Sequence, residues 1–302
     1  MLVSRRVSLL FISALLCLLC LLSACGSASL ASNGGSHVVK VVAAENFYGD
    51  IVKQLGGSHV AVTSILSDPN VDPHEYQSNV QTGITVGKAD LVIENGNGYD
   101  DWMDKILSAA PSSTRLLLKG YDSAPTHLSA NEHVWYSFAN AAAIAQAITT
   151  DLKKLDPADA AAFDNNLQTF KQSLQPLQQK IAAINAKYHG TPVGLTETIY
   201  LYQAQPEGLN VLTPFAFEKA IAEGNDPPAD TVITTTDQIT KGQIKVLIYN
   251  AQTVTPVTTN LENLARAKHI PIVPVTETMP PNKTYQTWMM DQLTVLQTAL
   301  GG

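Results

Sequence analysis

The apolar residues of this chain recur with two different periods, and the two kinds of segment alternate. Short runs rich in β-branched residues predict strands at 38–43, 60–66, 91–93, 116–118, 192–195, 246–249 and 270–275. Stretches with helical spacing predict helices at 47–55, 77–88, 102–109, 139–155, 253–268 and 284–300. This alternation indicates the α/β class, with mostly parallel sheets flanked by helices. It runs in two blocks, 38–155 and 190–302, which predicts two similar lobes.

A long segment between the two blocks has a single apolar face. Its apolar residues are spaced alternately four and three apart: Phe163, Leu167, Phe170, Leu174, Leu177, Ile181, Ile184 and Tyr188. This spacing predicts one linking helix at residues 157–189 that is roughly 48 Å long. Asp156 and Pro157 fit its cap and first turn, and Gly190 fits its end. Pro176 removes a backbone donor and is expected to kink the helix, or else to divide it into two.

The N-terminal segment has the pattern of an export signal. A positive start, Arg5-Arg6, precedes an apolar run of about 16 residues, shorter than the ~20 that a spanning helix needs. The run ends in Leu-Ser-Ala-Cys, whose cysteine is Cys25, and this ending resembles a bacterial lipobox. We therefore predict a lipoprotein signal peptide at residues 1–24 and a diacylglycerol on the sulfur of Cys25. An ordinary secretory signal with an incidental cysteine is the alternative.

The rest of the chain divides into a tether and a two-lobed body. Small and polar residues predict a flexible tether at 25–37. The N-terminal lobe is expected at 38–156 and the C-terminal lobe at 190–302, with the linking helix between them. All three cysteines lie at or before Cys25, so the mature body has no cysteine pair for a disulfide.

The charge composition argues against one broad class of partner. The chain has 19 Lys and Arg against 26 Asp and Glu, a formal net charge of −7, and only 15% charged residues. It therefore has no basic patch to neutralise phosphates, and we expect no nucleic-acid partner. The phosphate-binding loop, the Gly-x-Ser-x-Gly motif and the dinucleotide-binding glycine motif are all missing from the sequence.

Four side chains that can bind a metal lie in loops after strands or at a helix start: His74, His133, Glu197 and Glu277. Ligands collect beyond the carboxyl ends of parallel strands, and each lobe contributes two of the four residues, so we expect a metal site in the inter-lobe cleft. Two imidazoles and two carboxylates suit zinc, manganese or iron. Each residue taken alone is also compatible with an ordinary surface or hydrogen-bonding role. The remaining histidines are interpreted as surface residues: His37, His59, His127, His189 and His269.

Several motifs are similar to those of one known family. They lie at 44–49 (Ala-Glu-Asn-Phe-Tyr-Gly), 72–76 (Asp-Pro-His-Glu-Tyr), 132–135 (Glu-His-Val-Trp), 196–197 (Thr-Glu) and 276–278 (Thr-Glu-Thr). With the lipobox, they make the chain resemble the metal-binding lipoproteins of bacterial ABC importers, the cluster A-I (zinc/manganese) solute-binding family. The resemblance covers residues 38–302 and implies a metal held between two lobes by the four candidate ligands.

The resemblance implies a binding protein and not an enzyme. We expect it to capture one zinc or manganese ion, or else iron, and to deliver it to the membrane permease of an ABC importer. It would be a monomer in the cell envelope, anchored through lipidated Cys25 to the outer face of the cytoplasmic membrane. The alternatives are a binding protein for a chelated metal or another small ligand, a metallohydrolase with Glu197 or Glu277 as general base, and an envelope adhesin with a structural metal.

Three departures from the family pattern leave the metal undecided. Glu277 stands where most members carry aspartate, and the extra methylene changes its reach. Glu197 replaces the third histidine of zinc-selective members, which makes a more oxygen-rich site that tolerates manganese or iron. The histidine-rich acidic loop common in Gram-negative zinc binders is missing between the first two ligand motifs. Zinc nevertheless binds almost any such site more tightly than manganese does.

Overall fold

Two β-sheets form the framework of the structure, a computed structural model that describes residues 38–69, 71, 73 and 76–301. The predicted signal peptide, the tether and Cys25 lie outside the described residues. The N-terminal sheet contains β1 (Val39–Glu45), β2 (Val60–Leu66), β3 (Leu91–Glu94) and β4 (Leu116–Lys119). The C-terminal sheet contains β5 (Pro192–Leu195), β6 (Asn210–Val211), β7 (Val246–Asn250) and β8 (Ile272–Val275).

The two sheets have the same strand order. It is β2-β1-β3-β4 in the first sheet and β6-β5-β7-β8 in the second, and all of these pairs are parallel. The predicted α/β class with two similar lobes is therefore confirmed. The order reverses between β1 and β3 in one sheet and between β5 and β7 in the other. Ligands of such sheets collect beyond the carboxyl ends of the strands at this position.

The helices flank the sheets, and two of them begin at a threonine that caps the helix. They are α1 (Asn46–Gly56), α2 (Val80–Gly87), α3 (Asp101–Ala109), α4 (Gly120–Ser123), α5 (Phe138–Leu155), α6 (Ala160–Ser173), α7 (Gln175–Tyr188), α8 (Leu201–Ala204), α9 (Phe215–Ala222), α10 (Ala229–Thr240), α11 (Pro256–Ala267) and α12 (Tyr285–Ala299). Thr255 and Thr284 begin α11 and α12 with capping boxes, in which each threonine accepts a hydrogen bond from a backbone N–H of the first turn. None of the described helices is long and apolar enough to span a membrane.

The segment predicted as one linking helix is divided into three parts. A 3₁₀ turn at Pro157–Asp159 leads into α6, and the single residue Leu174 separates α6 from α7. Pro176 lies in the first turn of α7 and cannot donate a hydrogen bond to the turn before it, so the helical ladder breaks at this point. Gly190 adopts a φ of 76° just after α7, as expected for a residue that ends a helix.

Burial along the linking segment follows its apolar face, and the predicted cap residue is in place but forms no capping hydrogen bond. The buried members of the face are Phe163, Leu167, Phe170, Leu174, Leu177, Ile184 and Tyr188. Asp156 occupies the cap position, but its carboxylate makes no capping hydrogen bond. The turn that follows it is 3₁₀ and not α-helical, so the geometry of an α-helical cap is lost.

The two lobes share one continuous apolar core. Phe47 of the N-terminal lobe stacks on Trp135 with ring centroids 4.5 Å apart, and on Trp288 of the C-terminal lobe at 6.1 Å. Asn46 and Met279 exchange two hydrogen bonds across the lobes, of 2.6 and 2.8 Å. These contacts join the lobes by packing and by hydrogen bonds, in addition to the linking segment.

Candidate metal centre

Three of the four predicted ligands converge between the lobes. His133 directly precedes the 3₁₀ turn Val134–Tyr136, Glu197 follows β5 and Glu277 follows β8. One ligand atom from each of them lies within 4.8 Å of the other two, and all three side chains are buried. The two glutamates follow the carboxyl ends of β5 and β8, which lie on either side of β7 in one sheet. Ligands of such sheets collect at these strand ends. A histidine with two carboxylates is a donor set for a divalent transition metal.

The fourth predicted ligand, His74, lies outside the described residues. Val71, on its amino side, is held against the loops of the C-terminal lobe. Gln252 Nε2 donates to the carbonyl of Val71 at 3.2 Å and to Thr278 Oγ1 at 2.8 Å. Thr278 is the residue after Glu277, so the chain three residues before His74 is tied to the loop that carries Glu277.

Glu277 is held through both of its carboxylate oxygens. Oε1 lies 2.5 Å from Asn250 Nδ2 and accepts a hydrogen bond of 3.0 Å from Thr253 Oγ1. Oε2 accepts from the hydroxyl of Tyr99 at 2.9 Å, and Tyr99 belongs to the opposite lobe. These donors fix the orientation of the carboxylate before any metal binds.

Asn250 links Glu277 to Glu197. Its Nδ2 atom lies within donor distance of Glu197 Oε1 as well, at 3.0 Å. Asn250 is the last residue of β7, the strand at which the order of the C-terminal sheet reverses. The sequence analysis did not identify Asn250 as a site residue, although its position at the end of an apolar strand could have indicated it.

The hydrogen bonds of His133 assign the roles of its two ring nitrogens. The amide of Asn131 donates through Nδ2 to the carbonyl of Thr198 at 2.7 Å, which turns its oxygen toward His133. That oxygen lies 3.0 Å from His133 Nδ1 and accepts from the backbone N–H of His133 as well. Because an amide oxygen can only accept, we infer that Nδ1 carries the proton and that Nε2 presents a lone pair, the form that binds metals.

The loop that carries Tyr99 is held by a buried aspartate. Asp100 directly precedes α3. Its carboxylate accepts from the backbone N–H groups of Asn95 and Gly96, at 2.6 and 2.7 Å. Gly96 and Gly98 adopt left-handed φ angles of 78° and 90°, which lets the chain fold back tightly over Asp100.

A group of buried carboxylates lies at the carboxyl ends of β1 and β3. Burial, together with the nearby Asp100, raises the pKa of Glu45 well above its ordinary value. Burial raises the pKa of Glu94 to about 7, although the ammonium of Lys119, 2.7 Å from it, opposes this shift. Burial therefore favours the protonated forms of Glu45 and Glu94 more than it would for exposed glutamates.

The chain matches a protein family over most of its length. Residues 41–299 match the family model described as "ZnuA: Zinc-uptake complex component A periplasmic". Among solved structures it is similar to the periplasmic zinc binding protein TroA from Treponema pallidum. The TM-score is 0.76 at 18% identity, and the match covers 87% of this chain and 99% of that chain.

Two curated proteins are similar in sequence over about half of the chain. The iron-binding protein YfeA of Yersinia pestis is 27% identical over 176 residues, which are 53% of this chain and 56% of that protein. The metal ABC transporter substrate-binding lipoprotein SsaB of Streptococcus sanguinis is 27% identical over 186 residues, which are 56% of this chain and 59% of that protein. The matched regions thus span between half and two thirds of these relatives.

Proposed function

Because the chain belongs to the family of the periplasmic component A of zinc-uptake complexes, we propose that it captures one divalent transition metal ion outside the cytoplasm and delivers it to the permease of an ABC importer. The observation that carries this proposal is the convergence of His133, Glu197 and Glu277 within 4.8 Å in a buried position between two lobes. The family is one of transport binding proteins and not of enzymes. The hydrolase alternative is therefore not retained.

The proposed fourth ligand is His74, from the Asp-Pro-His motif. This assignment is supported by the hydrogen bond of Gln252 to the carbonyl of Val71, which holds the residue just before that motif against the loop of Glu277. Four protein ligands would leave no position for a substrate or a reactive water. Such a closed set suits capture and release better than catalysis.

Zinc, manganese and iron are the proposed cargo metals. TroA is described as a zinc binding protein and YfeA as an iron-binding protein, so similar chains carry names of different metals. Two carboxylates make the proposed donor set harder than a three-histidine set, which favours manganese and iron relative to zinc. In vitro, zinc is still expected to bind most tightly, as the Irving–Williams order requires.

The proposed location is the cell envelope, with Cys25 as a lipid anchor. The lipobox pattern before Cys25 supports this proposal, and the similar protein SsaB is described as a lipoprotein. The tether at residues 25–37 would let a monomeric body reach the permease from its anchor.

Competitive metal loading tests the proposed function. The purified protein is stripped with a chelator, equilibrated with equal zinc, manganese and ferrous iron, desalted and analysed for bound elements. We expect His133→Ala to retain one metal fewer per chain than the unsubstituted protein, because one ligand of the buried set is lost. His269→Ala is the matched control, since His269 is exposed and precedes β8, whereas Glu277 follows the opposite end of that strand. Equal metal content in all three samples would contradict the proposal.

A further inference from the structure

A second group of metal-binding side chains lies where the linking segment leaves the N-terminal lobe. His59 ends the 3₁₀ turn Gly57–His59 that leads into β2, and Asp156 and Asp159 flank the start of the turn Pro157–Asp159. One ligand atom from each of the three residues lies within 4.8 Å of the other two. We propose that His59, Asp156 and Asp159 form a second site for a divalent metal ion, separate from the candidate metal centre.

The carboxylate of Asp156 is the main argument for this site. The residue is only 6% exposed, and within the described part of the chain its Oδ2 atom has no hydrogen-bond partner. It stands at a cap position and yet makes no capping hydrogen bond. A buried carboxylate oxygen without a partner is unfavourable, and a cation coordinated there would satisfy it.

The charges of the group match a divalent cation. Its two carboxylates are anionic ligands of the kind that divalent metals take, and an imidazole completes the set. Among the described residues, no lysine or arginine forms an ion pair with Asp156 or Asp159, because Lys153 pairs with Asp164 and Lys154 pairs with Asp151. A bound metal would supply the missing positive charge.

The donor atoms are already held close together. His59 Nδ1 lies 2.7 Å from Asp159 Oδ2, so a metal would replace this contact by a small outward shift of both atoms. The imidazole of His59 packs edge-on against Phe163, with ring centroids 5.8 Å apart at 90°. His59 and Asp159 are 25% and 28% exposed, so an ion can enter from solvent and a water can complete a tetrahedral shell.

This group is distinct from the candidate metal centre in position and in residues. It lies at the amino end of β2, whereas the candidate centre lies beyond the carboxyl ends of the strands. An ion bound here would join the turn before β2 to the first turn of the linking segment. It would therefore stabilise the attachment of that segment to the N-terminal lobe without occupying the cargo position.

Zinc titration of paired variants tests the second site. His133→Ala serves as the background because it weakens the candidate centre, and His59→Gln or Asp156→Asn is then added to it. We expect calorimetric titration with zinc alone to show one ion bound per chain in the background variant. We expect at least tenfold weaker binding after either addition, together with loss of the zinc-dependent rise in melting temperature.

A matched control and a second measurement keep the result interpretable. His127→Gln in the same background removes a histidine outside the group and should leave the zinc affinity unchanged. If the background variant does not fold, cobalt is titrated instead into the unsubstituted chain and into Asp156→Asn. We expect the absorption of bound cobalt to show two ions per chain in the first and one in the second. Zinc or cobalt binding that is unaffected by His59→Gln and by Asp156→Asn would overturn the proposal.

Discussion

Asn250 ties the two acidic candidate ligands together. Its amide nitrogen lies within hydrogen-bond distance of Glu197 and of Glu277, at 3.0 and 2.5 Å. A donor between two carboxylates reduces their mutual repulsion and holds their orientation. Outer partners of this kind contribute about 10- to 100-fold to metal affinity in other metal sites.

We therefore expect Asn250→Ala to weaken zinc binding by about 10- to 100-fold. Competition against a chromophoric chelator measures this change. Asn225→Ala is the matched control, because Asn225 lies in an exposed loop of the same lobe and should bind zinc like the unsubstituted chain. Equal affinities of the two variants would show that the amide has no part in the site.

Glu207 introduces a dependence of stability on pH. Burial raises its pKa to about 8, although the hydroxyl of Tyr200 donates to its Oε1 atom at 2.9 Å and opposes the shift. The unfolded chain ionises near the ordinary glutamate value of 4.5. Between these two values the folded state holds more protons, so the free energy of unfolding falls as pH rises through this window.

The variant Glu207→Gln should remove this contribution. One proton corresponds to a slope of about 1.4 kcal/mol per pH unit. We expect the free energy of unfolding of the variant to fall less steeply between about pH 5 and pH 8, as measured by urea denaturation. The exposed pair of Lys219 and Glu223 provides a control, since Glu223→Gln should leave the slope unchanged. Parallel curves for Glu207→Gln and the unsubstituted chain would contradict the assignment.

Helices with a regular apolar face were predicted well, and four other described helices were missed. All residues of the stripe on the linking segment except Ile181 are buried, from Phe163 to Tyr188. The helices α4, α8, α9 and α10 had no predicted counterpart. The sequence of α10 contains five threonines in twelve residues, and threonine has a low helix propensity. Its helical form therefore depends on packing against the rest of the lobe. The residue pattern within the helix does not predict that packing.

The buried face of α6 predicts an asymmetric response to truncation. We expect Leu167→Ala to lower the free energy of unfolding by about 2–5 kcal/mol, because it opens a cavity in the shared core. Gln168→Ala, on the exposed side of the same helix, should change it by less than about 0.5 kcal/mol. Urea denaturation of both variants measures the difference. Similar losses in the two variants would contradict this orientation of α6.

The shared core governs how the whole molecule can respond to a metal. The two lobes are joined by stacked aromatic rings at Phe47, Trp135 and Trp288, and by hydrogen bonds such as the one from Tyr285 to the carbonyl of Trp135, at 2.6 Å. A wide hinge opening would expose this apolar surface to water at a large free-energy cost. Binding and release are therefore expected to move individual loops more than the lobes.

Crystal structures of the metal-free and zinc-loaded protein test this expectation. We expect the two lobes to superpose as one body in both forms, with differences confined to the loops that carry the candidate ligands. Domain closure of the kind seen when a hinge separates independent lobes would contradict this. A mutation that leaves the candidate ligands intact, such as Leu167→Ala, provides a reference for displacements caused by packing alone.

The sequence by itself determined the features that depend on local pattern. Strand and helix periodicity predicted the α/β class and the two lobes, and the apolar stripe predicted which face of the linking segment is buried. Places after predicted strands or at a helix start, together with the family resemblance, also selected His133, Glu197 and Glu277, which the fold brings within 4.8 Å. His74 and Cys25 stay predictions outside the described residues. These features could be predicted because each one depends on residues that are close together in the sequence.

Only the tertiary structure decided which distant side chains meet. Tyr99 and Glu277 are 178 positions apart and yet share a hydrogen bond, and Asn250 reaches Glu197 from 53 positions away. Asp100 and Asp156 both stand at cap positions without capping their helices. The carboxylate of Asp100 accepts from the backbone of Asn95 and Gly96, and a ligand atom of Asp156 lies within 4.8 Å of one from His59. Strand order and lobe packing create these contacts, and neither can be predicted from the hydrophobic periodicity of the sequence.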